Sequence, residues 1–361
     1  VIAVQVTAVN DFAALGRRWR DLESRSNGSF FQSWTWTGCL AQERFPDPIL
    51  VEAISDGRTV ALALFNRVRR RWGPPVLHLG ESGNPELDCP YIEQNGVLAE
   101  AGREDELTAL CLRAVASRFE LVLSGIGEPV FAAARDTASL VLPGRSQESP
   151  YVDLAALRAS GADYLSRRSA NTRQQIRRSD RFYLQSGPIA LQRAGSVVEA
   201  HRMLDRMANL HQATWTARGR PGSFARPFFK RFHQALIELA LPRGEIDLIQ
   251  VSCGETVVGI LYNFTHAGRS LAYQSGFAYQ PGASTAKPGL TCHARAIQDA
   301  LDAGLDVYDF LAGEDRYKRS LSDRSHQQIW TRAGPLCAPS LMFRRAVEAL
   351  RSGAPVRRVP G

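Results

Sequence analysis

The sequence predicts two tandem α/β layered domains, each a mixed, mostly antiparallel sheet flanked by helices, and three observations carry that reading. The chain has 361 residues, more than one typical core accommodates. A hairpin, a helix, a strand and a glycine turn recur in that order at an offset of about 190 residues, far beyond solenoid periods. Segments with helical apolar spacing precede each copy.

Taken in chain order, Asp11–Arg25 and Gln32–Phe45 have the spacing of helices. Ile49–Arg71 reads as strand, Asp56-Gly57 turn, strand. A helix from Leu107 and a strand ending at Glu128 complete the first copy. The segment Gly144–Pro150 breaks the pattern, which sets the domains at 1–148 and 149–335, with a basic amphipathic helix and tail at 336–361. Asp163–Arg181 is an arginine-dense helix, either a solvated face or a wall that meets phosphates. Ser196–Arg218 and Arg226–Leu239 are the helices of the second copy. Its strands run through Asp247–Phe277, with turns at Gly254-Glu255 and Ala267-Gly268. A helix from Leu290 and the strand Leu305–Leu311 follow.

Composition narrows the function. Apolar residues make up 44% and charged residues 22%, as in an ordinary folded protein. No apolar run has membrane-spanning length, and the opening residues lack the basic region of a signal peptide, which predicts a cytoplasmic protein. The six cysteines are scattered and the seven histidines show no ligand spacing, so neither a disulfide framework nor a metal site is expected. The net charge is +8, and Lys230, Lys287 and Lys318 are the only lysines. Signatures of serine hydrolases, zinc hydrolases and phosphate-loop nucleotide enzymes are absent.

The chemistry-bearing segment is Arg269–Leu321. A strand ends in a loop that holds Gly282, Ser284, Thr285, Lys287 and Gly289, and Pro288 opens the next helix. Small residues let backbone N–H groups approach a ligand, the helix start carries partial positive charge, and Lys287 adds a full one. A diphosphate suits such a loop, although a plain strand-to-helix connection has the same outline.

The element order, the helix start Lys287-Pro288-Gly289-Leu290 and the run Asp309-Phe310-Leu311-Ala312-Gly313-Glu314-Asp315-Arg316-Tyr317-Lys318 resemble the GNAT acyltransferases. The likeness is to their tandem-domain branch labelled CelD-like, related to the Fem aminoacyltransferases, and Phe30–Trp36 is similar to the start of that branch's first domain. Gln280-Pro281-Gly282-Ala283 departs from the usual GNAT pyrophosphate loop, and the first copy has neither a Lys-Pro-Gly start nor a Tyr-Lys pair. The resemblance implies an N-acyltransferase, active in the second copy, that takes an acyl group from acyl-CoA and passes it to an amine. It implies that backbone at Ser275, Gly276 and Phe277 faces the thioester, with a strand kink at Gly276. Tyr317 would protonate the leaving thiolate, and Lys318 would steady charge and lower the phenol's pKa. Glu314 or Asp315 would take the amine proton, and Asp309 would orient the acceptor or pair with an arginine. Tyr273 would shape the acyl pocket, and His293 would stand beside the substrate. An amino sugar or a long-chain amino base is the expected acceptor. The basic C-terminal helix would give peripheral contact with the inner membrane face. Two rivals stand beside this reading. One is a Fem-like enzyme using aminoacyl-tRNA, disfavoured because no basic strip with interleaved aromatics is present to hold nucleic acid. The other is a non-catalytic binding subunit of polysaccharide or lipid biosynthesis.

Overall fold

The computed structural model describes residues 1–280, 282–313 and 315–352, with side chains placed as far as Val347. The chain divides into two compact units, 1–146 with 328–361, and 147–327. The first contains β1 (Ile2–Ala8), α1 (Phe12–Glu23), α2 (Trp34–Thr37), α3 (Ala41–Arg44), β2 (Pro48–Ser55), β3 (Arg58–Val68) and β4 (Val76–Leu79). It continues with β5 (Leu98–Ala99), α4 (Glu104–Ala116), β6 (Glu120–Ile126), α5 (Glu128–Thr137), β7 (Leu140–Val141) and the start of β8 (Arg145–Asp153). The second contains α6 (Leu154–Ala159), α7 (Ala170–Tyr183), β9 (Ile189–Arg193), α8 (Val197–Ala217), α9 (Pro227–Ala240), β10 (Ile246–Cys253) and β11 (Thr256–His266). It ends with β12 (Arg269–Phe277), α10 (Pro288–Asp302), β13 (Val307–Asp309), α11 (Arg316–Leu321) and the start of β14 (Arg324–Gly334), after which α12 (Pro339–Ser352) belongs to the first unit.

Each unit is an α/β layered structure. In the first, the strand order is β1-β2-β3-β4-β6-β14; in the second it is β8-β13-β12-β11-β10-β9. Among the named strands within each unit the pairs are antiparallel except β4 with β6 and β12 with β13, which are parallel. The repeat is visible at residue level. Both hairpins turn in two residues, Asp56-Gly57 and Gly254-Glu255, and both carry a bulge just before the turn, at Ala53/Ile54 and Val251/Ser252. Asp56, Gly57 and Gly254 take the positive φ such tight turns demand. Parallel pairing places Val76 of β4 opposite Glu120, and Arg269 of β12 opposite Val307. Counting from those points aligns Glu81-Ser82-Gly83 with Gln274-Ser275-Gly276.

In the second unit helices cover both faces of the sheet. Ile176 and Tyr183 of α7 and Leu290, Ile297 and Leu301 of α10 pack with Ile249, Val251, Val258 and Leu261. On the other face α9 brings Phe229 and His233 against Tyr262, Phe264 and Tyr273, ring against ring. Such burial is the main driving term for folding. No helix of the described residues is long and apolar enough to cross a membrane.

Three expectations need correction. Gln32–Phe45 is not one helix: a single-turn 3₁₀ segment and two four-residue helices replace it, because Leu40 takes a left-handed φ of 50° that ends helical continuity. The arginine-dense helix begins at Ala170 rather than Asp163, where the Ser169 side chain accepts the Thr172 N–H and caps it. The last strand pairs with β6, Ile329 opposite Ile126 and Ala333 opposite Leu121. Its residues from 328 onward therefore belong with the first unit and not with the segment 149–335.

Burial also sets a pH dependence. The buried rings of His233 and His293 have pKa values pushed down from 6.5 to about 3, both chiefly by desolvation. Each is neutral when folded and protonates on unfolding in acid. The stability they confer is complete above about pH 6.5 and is lost as the pH falls toward 3, at about 1.4 kcal/mol per pH unit for each ring. In His233→Phe, urea unfolding measured between pH 6 and 4 should show a stability slope reduced by about that amount.

Candidate active site

The site begins where two strands part. β12 stays paired with β11 as far as Phe277 opposite Gly259, but it pairs with β13 only from Arg269–Val307 to Leu271–Asp309. β13 stops because of Asp309. This fully buried carboxylate accepts hydrogen bonds from Leu311 N (2.8 Å), Ser149 Oγ (3.0 Å) and Arg269 Nη2 (3.2 Å). Leu311 takes a left-handed φ of 59°, and the chain turns away. The far half of β12 is left without β13. There the Ser275 backbone is met by side chains: its carbonyl accepts from His211 Nδ1 (3.2 Å) and its N–H donates to Gln274 Oε1 (3.0 Å). His211 Nε2 accepts the Ser223 N–H at 3.3 Å, so this ring is held as one neutral tautomer, and burial lowers its pKa.

Beside the parted strands lies a cleft of about 1190 Å³. Its walls are the end of β12, the connector through Lys287, the start of α10, the turn Arg167–Ser169 with one stripe of α7, and α11. α7 is clasped to α10 by buried hydroxyls. Ser179 Oγ donates to Lys287 O and accepts from Lys287 N, at 3.1 and 3.0 Å, and lies 2.8 Å from Thr291 Oγ1. Asp180 accepts from Thr291 Oγ1 (2.9 Å) and from Arg295 (2.7 Å). Lys287 Nζ donates to Gln175 Oε1 at 3.0 Å. The helix start, the loop and α7 are thereby fixed in one arrangement.

The cleft is strongly cationic. Arg167, Arg168, Arg178, Lys287, Arg316 and Arg319 line it, and Asp323 is the one carboxylate among the described lining residues. Asp323 pairs with Arg168 at 3.2 Å, and Arg319 pairs with Glu148 at 3.1 Å. The guanidinium groups of Arg167, Arg178 and Arg316 meet no partner among the described residues.

Of the residues singled out in the sequence, Phe277, Ser284, Thr285, Lys287, Gly289 and Tyr317 line the cleft. Gly282 lies in the same connector with φ 81°. Ser275 and Gly276 stand on β12 beside it. Gly276 does not kink the strand: it stays in register opposite Ile260, and the irregularity falls at Tyr273, which the pairing skips. Gly276 is needed for another reason, since a Cβ there would collide with the Met207 carbonyl of α8. Tyr273 is buried in the α9 aromatic cluster, 6.5 Å from Phe229 and stacked on it, so it does not border the cleft. Lys318 points inward and donates to Ala312 O (2.9 Å) and Leu311 O (3.3 Å). It therefore does not lower the Tyr317 pKa, which is pushed up by burial and by Asp315 and Tyr279. Asp315 is exposed just before α11; Glu314 lies outside the described residues.

His293 lies under the cleft floor. Its ring stacks on Tyr317 (5.5 Å, 22°) and packs against Phe277 and Phe310. Nδ1 is 2.9 Å from the Tyr308 hydroxyl, and Nε2 has no hydrogen-bond partner among the described residues. It is a support for two cleft residues rather than a charged base.

The sequence offers the arginine-dense helix as a wall that meets phosphates but does not single out its cleft face (Asn171, Gln175 and Arg178), although their spacing of four and then three residues is a legible helical stripe. It also missed the filling of the first unit. There β4 and β6 part after His78 and Val122, and Asn95 occupies the gap. Asn95 Nδ2 donates to Leu79 O (2.9 Å) and Ser124 O (3.1 Å), and Asn95 N donates to Gly125 O (2.9 Å). The Glu81-Ser82-Gly83 match to Gln274-Ser275-Gly276 was the signal that could have located both sites.

Residues 170–319 match the family described as acetyltransferase (GNAT) domain. No curated protein sequence matches the chain. Among solved structures it is similar to FemX, at 9% identity and a TM-score of 0.58, over 94% of this chain and 99% of that one. It is similar to the C-terminal domain of a protein described as a lysylphosphatidylglycerol synthetase from Agrobacterium fabrum, at 12% identity and a TM-score of 0.55, over 97% and 100%. L-PGS from Bacillus licheniformis follows at 10% identity and 0.54, over 92% and 96%. At such identities the likeness is one of fold. The family match thus places a GNAT acetyltransferase domain at residues 170–319, and the solved structures share the fold over the length of the chain.

Proposed function

We propose that the second unit transfers an acyl group from a coenzyme A thioester to an amine. The observation that carries this reading is the cationic cleft beside the parted strands. Fixed cations and a helix start suit a diphosphate, and the gap between β12 and β13 gives the thioester arm a path to the end of β12 at Phe277. In the reaction the amine nitrogen forms a bond to the thioester carbonyl carbon and the carbon–sulfur bond breaks. One proton leaves the nitrogen and one reaches the sulfur. Tyr317 lines the cleft as a protonated phenol, and burial raises its pKa further. A free phenol is already a weaker acid than a thiol. Tyr317 therefore stabilises the departing sulfur as a hydrogen-bond donor, with full transfer completed as solvent enters. Asp315, exposed at the head of α11, takes the amine proton directly or through water.

The acceptor is an amino sugar or a long-chain amino base. The C-terminal helix supports the lipid version and contact with the inner membrane face: Leu341 is buried, while Met342, Phe343, Arg344 and Arg345 are exposed. A second reading, in which the donor is aminoacyl-tRNA, is favoured by the likeness to FemX and by Arg167, Arg168 and Arg178 along the cleft wall. It requires affinity that falls steeply with salt.

Tyr317→Phe should cut turnover about 10- to 1000-fold, with donor affinity nearly unchanged, in steady-state assays with an amine acceptor. Lys287→Glu should weaken acyl-CoA binding about 10-fold or more in calorimetric titration, because it reverses a charge beside a polyanion. Wild-type turnover in the first variant would reduce Tyr317 to a packing residue. Unchanged affinity in the second would move the donor elsewhere.

A further inference from the structure

The cleft holds more positive charge than a diphosphate needs, and part of the surplus lines one wall, from Arg167 in the turn before α7 to Arg178 on the helix. Asn171, Gln175 and Arg178 fall on one stripe of that helix and face the cleft, while Ile176, Ser179 and Tyr183 face the core. Lys287 is tied to Gln175, so the loop cation, Gln175 and Arg178 form one group; Gln175 and Arg178 are about 4.5 Å apart along the axis. At the other end of the stripe, the turn before α7 is held rigidly. The buried Arg168 side chain donates to Ser322 O and pairs with Asp323, and Arg173 Nη1 donates to Arg168 O at 2.6 Å. Arg168 is consumed by that anchoring. Its neighbour Arg167 is exposed, lines the cleft and meets no partner among the described residues. Arg167 lies in the turn before α7, eight residues before Gln175, so a second anion point stands at the opposite end of this wall from the Lys287 group.

We propose that Arg167 binds a second, separate phosphate of the donor, the one on its adenosine ribose, while Lys287 and Arg178 hold the diphosphate. The inference rests on the acyl-CoA reading above and deepens it: the cleft distinguishes a 3′-phosphorylated nucleotide carrier from one without that phosphate. Asn171, between the two anion points, presents an amide to the ribose or base. Guanidinium suits the role because its planar fork pairs two phosphate oxygens at once.

The test is calorimetric titration of the full chain with CoA and with 3′-dephospho-CoA at low salt. Wild type should bind CoA about 10-fold more tightly than 3′-dephospho-CoA, the scale of one charge-assisted contact. Arg167→Ala should lose that preference, binding CoA about 10-fold more weakly and 3′-dephospho-CoA as wild type does. Arg178→Ala should weaken both ligands by the same factor and keep the preference. Arg177→Ala, an exposed cation beside Arg178 but off the cleft, should change neither. Equal binding of both ligands by wild type, or a preference that survives in Arg167→Ala, overturns the inference and leaves the donor reading standing. Failure of wild type to bind either ligand overturns both.

Discussion

The site depends on one buried carboxylate. Asp309 sits where water is excluded, and burying a carboxylate is costly unless donors surround it. Ser149, Arg269 and the Leu311 N–H supply those donors, and meeting all three stops the strand at Asp309 and turns the next residues out of the sheet. A parallel ladder that would otherwise continue is cut after three residue pairs. The edge this exposes is then satisfied by His211 and Gln274 in place of a strand, since buried backbone groups seldom go unpaired. A strand opening, rather than a pocket carved between side chains, is the foundation of the cleft.

Two copies of the same arrangement met different fates. In the first, the connector between β4 and α4 runs through residues 80–103, long enough to fold back and place Asn95 across both strands. Gly125 makes this possible: its φ of 62° and its missing Cβ admit the Ile92 carbonyl. In the second, the connector runs only through residues 278–287 and passes directly into α10, where Ser179 clasps it to α7. A short connector leaves the opening free for a ligand, and a long one fills it with the chain itself. Whether the opening is filled follows from connector length as much as from residue identity.

Much of this was legible in the sequence. The two-residue turns, the hairpin registers and the Pro288 helix start are local, set by backbone preferences, and they lie where turn chemistry and periodicity put them. The cleft loop was legible for the same reason. What the sequence hid was tertiary. Lys318 follows Tyr317 in the chain, yet its ammonium bonds the carbonyls of 311 and 312. Tyr273 was expected at the acyl pocket, but a bulge on β12 accompanies its burial among the α9 rings. Apolar spacing in Gln32–Phe45 came from packing of several short turns, not from one helix. Periodicity cannot show a left-handed Leu40 or a last strand that leaves its own domain.

In the proposed function a nucleotide-linked acyl donor occupies the opening of the second unit, while Asn95 occupies the corresponding opening of the first. Amide hydrogen exchange with and without an acyl-CoA, read peptide by peptide over the full chain, tests both halves together. Protection should appear at 277–290, across α7 and in α11, while peptides covering 92–97 and 122–126 should exchange alike in both states. Protection confined to the first unit, or none at 277–290 under saturating donor, would contradict the account.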